Sequence, residues 1–108
     1  MDCVFCNIIS GKIPAQKIAE TEDLIVIKDI APKMPIHYLI IPKKHVKDMR
    51  GFDDSDMILG AKICAIARQL SRQLNNTDFR LVISNGHDAG QRVFHMHVHF
   101  LAGAVIAE

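Results

Sequence analysis

The chain has 108 residues, 13 basic and 12 acidic, and a formal net charge of +1, which is enough for one domain, read as residues 1–108, and too short for two full cores. A charge so near zero excludes the strong field with which proteins hold nucleic acid or an anionic membrane surface in general, so small molecules are the expected partners. No stretch approaches the roughly 18 apolar residues of a membrane span, and "MDCVFCNIISGKIP" lacks a basic start, an apolar run and a small-residue cleavage site, so a cytoplasmic protein is expected.

In chain order, residues 3–10 suit a short helix, ended by "SGKIP" with Gly11 and Pro14. Two apolar runs follow, "DLIVIKDI" from Asp23 and "HYLIIPKKH" from His37, separated by the prolines of "APKMP". Both read as buried strands. From Asp54 to Leu74 the apolar residues Met57, Ile58, Ala61, Cys64, Ala65, Ala67 and Leu70 recur near the helical period, with acids first and Arg68 and Arg72 last. That predicts one long helix. "NNTD" turns the chain into a strand, "FRLVISNG", and "GHDAGQR" leads to a last strand. The order points to α+β, an antiparallel sheet of about five strands faced by one helix.

The last strand contains "VFHMHVHF", with His95, His97 and His99 at alternate positions. Alternation along a strand places the three imidazoles on one face, about 6.5 to 7 Å apart, and Met96, Val98 and Phe100 on the other, the core side. Histidine titrates near pH 6.5, so it serves close to neutrality as nucleophile, proton donor or metal ligand. A solvated cluster and a plain metal site are the alternatives. Gly86 and Gly90, in the loop before the strand, permit positive φ and a run of N–H groups that suits phosphate oxygens. Phosphate held there would lie beside an imidazole nucleophile, the arrangement that in-line attack on phosphorus needs.

The three cysteines argue against a disulfide framework in a domain without a secretion signal. Cys3 and Cys6 have a spacing that suits either Zn²⁺, which needs two further ligands, or redox thiols; the redox motif wants a preceding strand, and none precedes residue 3. Cys64, among apolar residues, is expected to be a buried inert thiol. Lys43, Lys44 and Lys47 read as a solvated strand end.

The block "HMHVHFL" resembles the signature of the histidine-triad nucleotide-binding and hydrolase proteins, most of all their small bacterial Hint-like branch. "VFCNIISGKIPAQKI", "VIKDIAPKMPIHYLIIPKKHV" and "GHDAGQRVFHMHVHFLAG" resemble further blocks of that family in the same order, so the resemblance covers nearly the whole chain. It implies a homodimer with the sheet continued across a two-fold axis. It also implies hydrolysis of purine nucleotides, of the adenosine phosphoramidate type, at the α-phosphate through a nucleotidyl-histidine. By the same resemblance His97 is the nucleophile, His99 contacts the phosphate and leaving group, and His37 orients or assists them. Asp29 matches the ribose-binding carboxylate, and Val4, Phe5, Ile8, Ile13, Ile27 and Ile30 match the apolar slot for the base. Ser84, Asn85, Gly90, Gln91 and Arg92 fall in the phosphate region. Some relatives bind structural zinc through residues that match Cys3, Cys6, His45 and His95, which would assign His95 to the metal. Two positions depart from the pattern: Ser84, where many relatives have Asn, and Arg92, where they often have Ser or Thr. A dinucleoside polyphosphate hydrolase and a zinc-stabilised nucleotide-binding or adaptor module are the rival readings.

Overall fold

The runs LIVIK and IHYLIIP carry large apolar side chains at consecutive positions, so as strands they must be covered on both faces. In the computed structural model, which describes residues 2–107, they form the middle of a five-stranded sheet. The strands are β1 (Lys17–Glu20), β2 (Leu24–Lys28), β3 (Ile36–Pro42), β4 (Phe79–Val82) and β5 (Val98–Ala102). All neighbours are antiparallel, in the order β1-β2-β3-β5-β4. Two helices, α1 (Val4–Ile9) and α2 (Met57–Gln73), cover the two faces.

Strand alternation divides the core. Leu24, Val26, Ile40, Val98, Phe100 and Ala102 face α2, which buries Leu59, Ile63, Ile66, Ala67 and Leu70 at helical spacing. Ile25, Ile27, Leu39 and Ile41 face α1 and meet Phe5 and Ile8. A six-residue helix has no stability of its own. Burial of Phe5 and Ile8, worth roughly 1.5–3 kcal/mol each, holds α1 on the sheet.

The start of α2 is fixed from outside. A 3₁₀ turn at Asp54–Asp56 precedes it, closed by a capping box between Asp53 and Asp56, and the Lys44 ammonium donates to both carboxylate oxygens of Asp56 at 2.8 Å. At its other end Asn75 and Asn76 take positive φ of 60° and 58°, which Asn tolerates best among residues with a Cβ, and turn the chain back.

The antiparallel sheet, the long helix and the short N-terminal helix are those expected. Three details differ. β1 (Lys17–Glu20) is a strand that the sequence pattern does not mark. β5 begins only at Val98: the ladder with β3 reaches Ile40↔Val98, and the N–H of Met96 goes instead to the Val46 carbonyl, so His95 and His97 lie in an irregular approach to the strand. Met96, Val98 and Phe100 still face α2. Cys64 is exposed, because it falls outside the buried stripe of α2. Lys43 pairs with Glu20, Lys44 with Asp56, and Lys47 lies 5.3 Å over the Phe94 ring, so the basic run serves its own surface. No described helix is long and apolar enough to cross a membrane.

Candidate active site and metal centre

The histidines divide by what the second ring nitrogen touches. The Nε2 of His95 lies 2.7 Å from the Pro42 carbonyl oxygen, which only accepts, so Nε2 carries the proton and Nδ1 keeps its lone pair. That Nδ1 is 3.3 Å from Cys3 Sγ, 3.5 Å from Cys6 Sγ and 3.1 Å from His45 Nδ1, while Cys6 Sγ is 3.3 Å from His45 Nδ1. All four ligand atoms lie within 4.8 Å of one another. Tetrahedral zinc with ordinary Zn–S and Zn–N bonds has edges of about 3.3 Å between nitrogens and about 3.6 Å between sulfur and nitrogen. Donor type, spacing and the His95 tautomer, fixed by an outer carbonyl, all fit a Cys₂His₂ zinc site.

His97 is oriented by the same residue. Its Nδ1 donates to the His95 carbonyl at 2.8 Å, which leaves the lone pair on Nε2. The ring is buried, with the Phe5 ring edge-on at 5.1 Å between centroids. His37 has the opposite tautomer: its Nδ1 accepts the Lys33 backbone N–H at 3.0 Å, so Nε2 holds the proton. That Nε2 lies 2.8 Å from His99 Nδ1 and 3.2 Å from Asp29 Oδ2. His99 Nδ1 therefore accepts, and Nε2 is its N–H. Asp29, His37 and His99 also cluster at metal-like distances, but His37 has no free lone pair to give, so the chemistry of this donor set does not fit a metal. His97 thus offers a lone pair and His99 an N–H on the same cavity wall.

Burial holds these imidazoles neutral. It pushes His37 and His97 below the usual histidine value, against the raising influence of Asp29 on both and of the His95 carbonyl on His97. His99 falls furthest, to about 4, through burial first and then the neighbouring His97 and His37.

These groups line a cavity of about 680 Å³, within the range that holds a nucleotide-sized ligand. Val4, Phe5, Ile8, Ile13, Ile27, Asp29 and Ile30 line it, as do His37, Ser84, Gly90, Arg92, His97 and His99. Asn85 and Gln91 do not. Asn85 Oδ1 accepts the Met49 N–H at 2.8 Å. The buried Gln91 side chain staples the loop: its Oε1 accepts the Gly86 N–H at 2.8 Å, and its Nε2 donates to the Lys47 and Val93 carbonyls at 2.6 and 3.0 Å. Gly86 and Gly90 both have positive φ, 99° and 100°, as their loop requires. Lys28, Lys33, Leu39, Val82 and Val93 also line the cavity, and the sequence does not mark them. Only the continuous apolar run of β3, which must bury both of its faces, points to Leu39.

The sequence profile of the family described as "Scavenger mRNA decapping enzyme C-term binding" matches residues 2–105. A HIT-like protein of Chlamydia pneumoniae is 43% identical over 101 residues, 93% of this chain and 92% of that one. The structure is similar to that of a HIT family hydrolase from Clostridium thermocellum, with TM-score 0.93, 36% identity and coverage of 99% and 95% of the two chains. It is also similar to a zinc-bound histidine triad family protein from Mycobacterium smegmatis, with TM-score 0.83, 34% identity and coverage of 94% and 75%.

The tautomers and the lowered basicity are directly measurable. In a ¹⁵N-histidine NMR titration, His37 should appear as the Nε2–H form and His97 as the Nδ1–H form, with His99 titrating near pH 4. A His99 midpoint at or above the ordinary value of about 6.5 contradicts the assignment. Because the unfolded chain protonates His99 at a higher pH than the folded one, between about pH 4 and 6.5, and the lowered His37 and His97 act in the same direction, stability falls as the pH drops through that window.

Proposed function

The chain belongs to the histidine-triad family, and from that premise we propose that it is a nucleotide hydrolase whose His97 forms a covalent bond to the α-phosphorus of a purine nucleotide. The substrate is an adenosine phosphoramidate or a related adenylate conjugate. The observation that carries this reading is the 2.8 Å bond from His97 Nδ1 to the His95 carbonyl, which leaves a fixed, neutral Nε2 lone pair on a cavity that His99 also lines. The family relationship and the hydrolase named among the similar structures support it.

The cavity's residues divide the work. Phe5, Ile8, Ile13 and Ile27 give the base an apolar slot, and Asp29 meets the ribose hydroxyls. Asp29 Oδ1 already accepts the Ala31 N–H at 2.8 Å, which holds the carboxylate still. His97 Nε2 attacks phosphorus as the bond to the leaving nitrogen breaks, and a proton passes to that nitrogen from His99. Water then attacks the same phosphorus, the bond to His97 breaks, the nucleoside monophosphate departs and the water's proton restores His99. For His99 to hold the extra proton, the phosphate anion must raise its low basicity; the His37 N–H then turns to Asp29 Oδ2, 3.2 Å away. Covalent catalysis replaces one hard displacement with two easier ones.

We place zinc on Cys3, Cys6, His45 and His95, where it would neutralise two thiolates and tie α1 to the segments that follow β3 and precede β5. The chain is taken to act as a homodimer. Met57 and Ile58 on α2 are 62% and 58% exposed, Cys64 lies on the same helix, and the outer edge of β4 has no partner strand among the described residues.

His97→Ala should reduce turnover of adenosine phosphoramidate by at least about a thousandfold, as loss of a nucleophile does, while AMP still binds. A wild-type protein that binds AMP but turns nothing over would favour the adaptor reading. Native mass spectrometry should show twice the 12.1 kDa chain with one zinc per chain, and Cys6→Ser should lose the metal. A monomer or a metal-free wild type contradicts these two assignments separately.

A further inference from the structure

Three cations stand on the cavity wall with no described carboxylate partner. Lys28, Lys33 and Arg92 line the cavity with one acid, Asp29. Elsewhere Lys17, Lys43, Lys44, Lys62 and Arg50 are ion-paired, while Lys12, Lys47, Arg68, Arg72 and Arg80 have no ion pair among the described residues, and Asp29 is occupied by the Ala31 N–H and by His37. A nucleoside phosphoramidate with a neutral leaving group brings a single negative charge, at the α-phosphate. Three cations exceed what that charge needs.

Lys28 ends β2 and Lys33 lies in the turn between β2 and β3, so of the three cations Arg92 is the one away from the β2 side of the cavity. The floor runs across the sheet from Ile27 and Asp29 at the β2 side, through His37 and Leu39 on β3 and then His99 and Leu101 on β5, to Val82 on β4. The apolar slot formed with α1 is at the β2 side, because Phe5 and Ile8 pack on Ile25, Ile27, Leu39 and Ile41. With base and ribose there and the α-phosphate at His97 and His99, a leaving group extends toward β4. Arg92 lies on the loop that joins β4 to β5, two residues after Gly90, whose α-carbon side faces Ser84 Oγ just past β4. Its Nη1 donates to the His87 and Gln91 carbonyls at 2.9 and 3.0 Å, while its Nε and Nη2 bond to no described residue. A guanidinium anchored on one nitrogen, with the others free, is pre-organised for a forked bond to an oxyanion. Lys33 stands near enough to His37 and His99 for its charge to lower the basicity of both.

Resting on the hydrolase reading above, we infer that this end of the cavity selects leaving groups that carry an oxyanion, a phosphate or a carboxylate, with Arg92 as the specificity-determining residue. The bond broken remains the one between the α-phosphorus and the leaving atom. The anion on the leaving group is bound and does not react.

The test compares three adenosine phosphoramidates of nearly equal size, substituted on nitrogen with propyl, carboxyethyl or phosphonoethyl, using the zinc-loaded wild type, Arg92→Ser and Arg92→Lys. In the wild type kcat/KM should favour an anionic substituent over propyl by about tenfold or more, the scale of one charge-assisted forked bond. Arg92→Ser should remove most of that ratio, and Arg92→Lys should keep part of it, as a point charge without the fork. The larger ratio, carboxyethyl or phosphonoethyl, identifies which oxyanion is preferred. A wild-type ratio of one or below, or a parallel loss on all three substrates in Arg92→Ser, overturns the inference and leaves the hydrolase reading intact. No turnover of any of the three, with no adenylyl-protein formed, overturns both.

Discussion

The bond from His97 Nδ1 to the carbonyl of His95 is the constraint on which the site depends. Imidazole is a nucleophile only through an unprotonated nitrogen, and a neutral ring has two ways to place its single proton. A carbonyl oxygen beside Nδ1 leaves one. The residue that supplies this carbonyl is itself immobile: His95 is fully buried, donates from Nε2 to Pro42, and has Nδ1 among two sulfurs and a second imidazole. The Cys/His cluster and the His97 imidazole are therefore oriented through one residue, from its side chain and its main chain respectively.

The sheet serves two ends because neither face of β2 and β3 is exposed. The α2 face holds the larger core, with Phe100 stacked between Tyr38 and Phe79 at 5.9 and 4.9 Å. The α1 face holds the smaller cluster and, beside it, the cavity. Phe5 belongs to both: its ring packs in the small core, lines the cavity, and stands edge-on to His95 and His97 at 5.8 and 5.1 Å. A helix as short as α1 keeps that ring in place only while its own contacts and the Cys3 and Cys6 cluster hold it down.

Much of this was legible in the sequence because it follows from period. The helix at Met57–Gln73, the strands at β2, β3 and β4 and the inward side of Met96, Val98 and Phe100 all come from apolar spacing. β1 leaves no trace in the sequence pattern because Lys17–Glu20 has only Ile18 and Ala19 to turn inward, too few to show a period. The histidine segment was expected to be strand throughout, yet His95 and His97 lie before β5: the Met96 N–H leaves the ladder for Val46, which no local pattern announces. Cys64 is exposed for a related reason. Its neighbours are apolar, but Leu59, Ile63, Ile66, Ala67 and Leu70 define a stripe that excludes it. Loop side chains obey no period at all, so that Asn85 and Gln91 turned out to brace the loop rather than line the cavity. Lys28 and Lys33 carry no mark in the sequence that separates them from solvent-facing lysines; only the cavity reveals them.

The central claim is that His97 becomes covalently bonded to the nucleotide. The most direct measurement is rapid quenching of the zinc-loaded protein with adenosine phosphoramidate in a single turnover, followed by intact-mass analysis and fragmentation across the reaction time. The account predicts a species heavier by one adenylyl group that rises and then decays into AMP, with the group located on His97. AMP formed at the full rate with no such species at any time, or an adenylyl group located on another residue, would contradict it.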